Sequence, residues 1–120
     1  MRPLGLDPVV HLELHTGNLA RASDFYTRVF GWSAETVEVG HCSYLSLKLG
    51  DGIDGGIVEH DREGCLWLPY VEVADLMDVI ERARALEAAV TLEPREGPTG
   101  WRSILAVQAG ARIALWQSKV

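Results

Sequence analysis

Asn18-Leu19 and Asp75-Leu76 occupy the same joint in two copies of one pattern, 57 positions apart (18 to 75). Each dipeptide follows a run in which apolar and polar residues alternate. Each precedes a run in which apolar residues return every three or four positions. A period of two marks a strand with one buried face, and the longer spacing marks a helix lying on a core. Under that offset Leu14 falls on Val71, Val29 on Leu86 and His11 on Leu68. A strand–helix joint repeated at this distance constrains the chain to two similar modules, about residues 7–62 and 65–118 of one domain.

The first module opens on Val9 to Thr16, with Val10, Leu12 and Leu14 apolar and His11, Glu13 and His15 polar. Gly17-Asn18 breaks that strand. A helix follows from about Ala20 to Phe30, with Ala22, Phe25, Tyr26, Val29 and Phe30 as its apolar stripe and Gly31 as its stop. Three strands come next: Ala34 to Val39, closed by Gly40; Ser43 to Leu49; and, after Gly50-Asp51-Gly52, about Gly56 to His60. Asp61 to Gly64 reads as a polar linker. The second module repeats the order: a strand Trp67 to Val73, an N-cap at Asp75, a helix Leu76 to Ala89, and strands Val90 to Glu93, Trp101 to Val107 and Arg112 to Gln117. The stretch Pro94 to Gly100 reads as the longest loop, placed to act as a mobile flap. The fold class is therefore α+β, with βαβββ twice.

Length and charge exclude more than they identify. A chain of 120 residues with 48% hydrophobic residues is one domain with a continuous core. No apolar run reaches the length of a membrane span, and Met1-Arg2-Pro3-Leu4-Gly5 lacks the apolar stretch of a signal peptide, so a cytoplasmic protein is expected. Seventeen acidic residues against 11 Lys and Arg disfavour nucleic acid as a partner. Cys42 and Cys65 have no metal-ligand spacing and read as free thiols. Cys42 adjoins His41, but neighbours on a strand point to opposite faces. Ser46 and Ser103 show no triad spacing.

The segment from His11 through Asn18-Leu19, Phe25-Tyr26 and Val29-Phe30-Gly31-Trp32 resembles the opening of vicinal oxygen chelate proteins. That is the superfamily of glyoxalases, bleomycin-resistance proteins and extradiol dioxygenases. Asp54-Gly55-Gly56-Ile57, Tyr70-Val71-Glu72-Val73-Ala74-Asp75-Leu76 and Gly110-Ala111-Arg112-Ile113-Ala114-Leu115-Trp116-Gln117 look like its later landmarks, so the resemblance spans nearly the whole chain. It implies two βαβββ modules forming a curved mixed sheet around a cleft, with helices on the outer face, and a homodimer. It does not select a chemistry.

The metalloenzymes of that superfamily are similar in taking one metal ligand each from the first, fourth, fifth and eighth strands. Carried over, the first position falls on His11 and the second near Glu59, or on Ile57 with a slip of two. The third falls on Leu68 and the fourth on Ala114, which offer no lone pair. No cofactor is expected. A divalent metal, if bound, would rest on His11 and Glu59, which are also the candidate acid–base residues. Glu13 shares the strand face of His11, with His15 two residues further on.

Alternation places candidate ligand contacts on the polar faces: His11 and Glu13, Tyr44 and Ser46 (with Lys48), Glu59, Tyr70, Arg112 and Trp116. Of four tryptophans, Trp67 is expected in the core and Trp32 at the helix end, leaving Trp101 and Trp116 to stack on a planar ligand. Two functions are open. One is a metal-free protein that sequesters an aromatic or cationic small molecule, such as an antibiotic. The other is a lyase or isomerase, with either an atypical metal site or acid–base catalysis alone.

Overall fold

The computed structural model describes residues 6–39, 42–60 and 65–120. The linker read at 61–64, the stop at Gly40 and the His41–Cys42 pair fall outside those residues or their described side chains. Ten elements follow one another: β1 (Val9–Thr16), α1 (Leu19–Phe30), β2 (Ser33–Val39), β3 (Cys42–Lys48), β4 (Asp54–Glu59), β5 (Leu66–Glu72), α2 (Leu76–Ala85), β6 (Ala89–Glu96), β7 (Gly100–Ala106) and β8 (Arg112–Ser118), with a 3-10 turn at Gln108–Gly110. The order is βαβββ twice, and the class is α+β.

The chain divides into two compact units, Val10–Leu68 and Pro69–Val120, the latter joined by the residues up to Val9. In the first, the strands lie in the order β2-β3-β4-β1. There β1 is parallel to β4, and β3 is antiparallel to both β2 and β4. In the second the order is β5-β8-β7-β6, with β8 parallel to β5 and β7 antiparallel to both β8 and β6. The offset seen in the sequence is thus a repeat of topology.

Each unit buries one sheet face under its helix. In the first, Leu14, Leu47 and Ile57 are sealed from solvent, and Leu19, Ala22 and Tyr26 of α1 pack against them. Trp67 joins this core, as its parity requires, and so does Trp32 just past the end of α1. Trp67 Nε1 donates to the Tyr26 hydroxyl at 3.3 Å, which satisfies the one polar atom its ring brings in. In the second unit the core is Val73, Leu76, Ile80, Leu105 and Leu115. Ser103, fully buried among them, donates to the Leu92 carbonyl at 2.7 Å beside an irregularity in β6.

α2 starts at Leu76 behind the expected cap Asp75, and α1 starts at Leu19, one residue before the expected Ala20, behind a cap at Asn18. Asn18 Oδ1 accepts the Arg21 N–H at 3.0 Å, and Asp75 Oδ1 accepts the Asp78 N–H at 3.2 Å. Their ends differ. α1 stops at Gly31, whose φ of 71° is the left-handed conformation glycine adopts without strain. α2 ends at Ala85, four residues before the expected Ala89. Glu87 turns left-handed there (φ 71°), with its N–H on the Arg84 carbonyl and the Ala88 N–H on the Ala83 carbonyl, both at 3.0 Å. No glycine announces that stop, so helical spacing alone overran it.

Two further expectations are corrected. The apolar stripe of α1 is only half used: Phe25, Val29 and Phe30 are 55%, 56% and 57% exposed, because Leu19, Ala22 and Tyr26 alone point at the sheet. The long flap read over Pro94 to Gly100 is a turn of three residues, 97–99, because Pro94 to Glu96 belong to β6 and Gly100 to β7. The turn is tied by Gly97 N–H to the Gly100 carbonyl at 2.7 Å, and by Lys119 N–H to the Thr99 carbonyl at 3.0 Å. Among the described residues no helix is long and apolar enough to cross a membrane.

Asn18→Ala and Asp75→Ala each remove one cap acceptor and should each cost about 1 kcal/mol. Thermal unfolding should show each variant's midpoint lowered by roughly 4 °C.

Candidate functional site

The faces turned away from the helices carry the polar candidates. On β1 these are His11, Glu13 and His15, since residues two apart share a face. The parallel register sets His11 opposite Asp54, Glu13 opposite Gly56 and His15 opposite Val58. On β3, Ser46 pairs with Gly56 and Lys48 with Asp54, so Tyr44, Ser46 and Lys48 lie on that same face. Tyr44 and Ser46 are half-buried and Lys48 is exposed.

A carboxylate sits between two imidazoles here. His15 Nε2 donates to Glu13 Oε1 at 2.8 Å, and His11 Nε2 lies 3.3 Å from Glu13 Oε2. All three side chains are only 15–26% exposed. A carboxylate can only accept, so both contacts require a hydrogen on Nε2 of each imidazole. The His60 ring centroid lies 6.1 Å from that of His15. The His11 ring rests over Gly56, where a Cβ would stand 3.7 Å from its Nε2.

Glu59 does not join this group. It pairs with Thr16 and so lies on the helix side of the sheet, where its Oε2 accepts the Leu19 N–H at 2.8 Å. It thereby satisfies one of the unpaired N–H groups at the start of α1. Ile57, the other position considered for a second metal ligand, is fully buried in the core. Leu68 and Ala114 are 2% and 0% exposed. Among the described residues no three His, Cys, Asp or Glu side chains are grouped to hold an ion. The donor set therefore does not fit the four-ligand centre of the resembling metalloenzymes.

In the second unit the face turned from the helix carries Tyr70 and Ala114, both buried, with Glu72, Arg102 and Trp116 half-buried and Arg112 exposed. Tyr70 pairs with Ala114 and Glu72 with Trp116, while Trp116 pairs with Arg102 and Arg112 with Ala106. Arg102 Nη1 donates to the Tyr70 hydroxyl at 3.3 Å. Trp116 is half-buried, and its indole occupies the space a side chain would need at Gly100. Arg112 is exposed at the other end of β8. Trp101 is on the opposite face, packed against the helix-side core with the Lys119 ammonium 5.3 Å from its ring centroid. Parity explains this: Trp101 adjoins Arg102, and only one of the two can face outward. Arg102 was not singled out from the sequence, although its position between Trp101 and Ser103 carried that signal.

The family model of the Glyoxalase/Bleomycin resistance protein/Dioxygenase superfamily matches residues 9–109. No curated protein matches the chain. Among solved structures, methylmalonyl-CoA epimerase from Mycobacterium tuberculosis is similar at a TM-score of 0.72 and 16% identity, over 100% of this chain and 94% of that one. A Streptomyces coelicolor methylmalonyl-CoA epimerase variant in complex with 2-nitronate-propionyl-CoA gives 0.71 and 20%, over 97% of each chain. A hypothetical protein from Bacillus halodurans C-125 gives 0.73 and 11%, over 95% and 96%. At these identities the likeness is one of fold.

Gly100 holds Trp116 in place by having no side chain. A Cβ there would meet the Gln117 carbonyl oxygen and stand 2.7 Å from Cζ2 of Trp116. Gly100→Ala should cost about 1–3 kcal/mol. It should also change the near-ultraviolet circular dichroism of the indole, whereas an unaltered spectrum would show that Trp116 does not depend on this contact.

Proposed function

Because the chain belongs to the glyoxalase/bleomycin resistance protein/dioxygenase superfamily, we propose that it is a metal-free small-molecule-binding protein that sequesters an aromatic compound. One observation carries the reading. Leu68 and Ala114, where the resembling metalloenzymes have ligands, are apolar and closed to solvent, and the same face carries the half-buried Trp116 beside the buried Tyr70. Removing two of four ligands leaves too little coordination to offset dehydration of a divalent ion. A half-buried indole offers a flat apolar surface, the usual lining of a small-molecule site. The proposal includes the homodimer that the resemblance implies, which light scattering would read as twice the 13.2 kDa of one chain.

A second reading is favoured by the His11–Glu13–His15 chain. An imidazole oriented by a carboxylate is a competent general base, so a metal-independent isomerase would use His11 with Glu13 behind it. Glu59, bound to the start of α1, would have no part in it.

Elemental analysis with divalent-metal titration tests the proposal first. Metal is expected well below one ion per chain, with no binding heat. Near-stoichiometric metal that is lost in His11→Ala would overturn the metal-free reading. Solvent deuterium exchange into methylmalonyl-CoA, the compound named for the epimerases above, separates the two readings. No exchange is expected of a binding protein. Exchange abolished by His11→Ala would favour the isomerase.

A further inference from the structure

Arg95 of β6, Arg102 of β7 and Trp116 of β8 stand directly opposite one another in a single row across three strands. That alignment is made by irregularities in β6. In the register set by Ala89 with Ala106 and Val90 with Leu105, Arg95 would lie opposite Gly100. Two register shifts, one between Val90 and Leu92 and one between Leu92 and Arg95, carry it to Arg102 instead. Bulges commonly re-aim a side chain in this way. The Thr91 hydroxyl and the buried Ser103 hydroxyl take backbone carbonyls beside the first shift, at 3.3 and 2.7 Å.

The result is two guanidinium groups at a direct cross-strand pair, an arrangement that is destabilising unless an anion relieves it. The nearby carboxylates are engaged elsewhere: Glu93 with Arg84 at 3.0 Å and Glu96 with Lys119 at 2.7 Å. Among the described residues neither Arg95 nor Arg102 has a carboxylate partner. Glu72 ends the row beyond Trp116 and has a contact of its own. Arg102 is half-buried, and its bond to the Tyr70 hydroxyl holds one edge of the fork. Trp116 lies beside it, seated against Gly100.

We infer that the row Arg95–Arg102–Trp116 binds an aromatic oxyanion, the guanidinium groups taking its carboxylate or phosphate and the indole its ring. The inference rests on the small-molecule-binding reading and names the ligand class. Planar guanidinium forks match both oxyanions geometrically, and stacking on the indole adds ring recognition. The net charge of −6 does not oppose this, because the flanking Glu93 and Glu96 are already paired with Arg84 and Lys119. It also turns the expected ligand charge at this face from cationic to anionic.

Calorimetry with three probes tests it: 2-naphthoate, 2-naphthyl phosphate and the neutral 2-naphthalenemethanol. At least one anion should bind roughly tenfold tighter than the neutral probe, and the tighter anion identifies carboxylate or phosphate. Arg102→Gln and Arg95→Gln should each weaken that anion by about tenfold and leave the neutral probe unchanged. Arg95 is exposed, so its variant carries the test should Arg102→Gln fail to fold. Equal binding of all three probes, or anion binding unmoved in both variants, overturns the inference and leaves the small-molecule-binding reading standing. Absence of binding by every probe overturns both.

Discussion

The burial of Leu14 against Ile57 and Leu47 is the constraint on which the first unit depends. These side chains lie on three adjacent strands and lock the pairing of β1 with β4 and of β4 with β3. A slip of one residue in β1 would drive His11, Glu13 and His15 under α1 and expose the leucines. The cost of burying those polar groups keeps the register, and the register gathers the carboxylate and its two imidazoles. Val73, Leu105 and Leu115 do the same for the second unit, and Tyr70, Arg102 and Trp116 are its counterpart.

The two repeats share a topology and have parted in chemistry. Where one unit sets out two imidazoles around a carboxylate, the other sets out arginine, tyrosine and tryptophan. His11 and Leu68 are equivalent by the 57-residue offset, yet one is a half-exposed polar group and the other a core residue. A shared superfamily therefore leaves function to be argued separately for each face.

Element order was legible because two-residue and three-to-four-residue periods are distinct over runs of eight or more positions. The start of α2 was legible because Asp75 is an acceptor placed for it, whereas that of α1 was placed by apolar spacing alone, one residue late. What escaped depended on partners distant in sequence. Nothing local to Glu59 says that it will meet the start of α1, 40 residues away. Proline and glycine between 94 and 100 suggested a loop, but irregular pairing accommodates Pro94 within β6 and a neighbouring indole needs Gly100 bare. The choice between Trp101 and Trp116 turned on a parity that the flanking glycine obscured. For the polar face of the first unit, alternation alone was enough to place His11, Glu13, Tyr44 and Ser46 together.

The left-handed Glu87 at the end of α2 has a consequence for how this chain tolerates change. A side-chained residue in that conformation stores on the order of 1 kcal/mol that a glycine would release. The residue lies in the turn after α2, outside the rows that carry the polar side chains. Substitutions on either open face that erode stability therefore have a compensating change within reach, at a position with no part in ligand contact. The second repeat thus carries its own margin for drift, and new binding chemistry could be acquired there without first rebuilding the core.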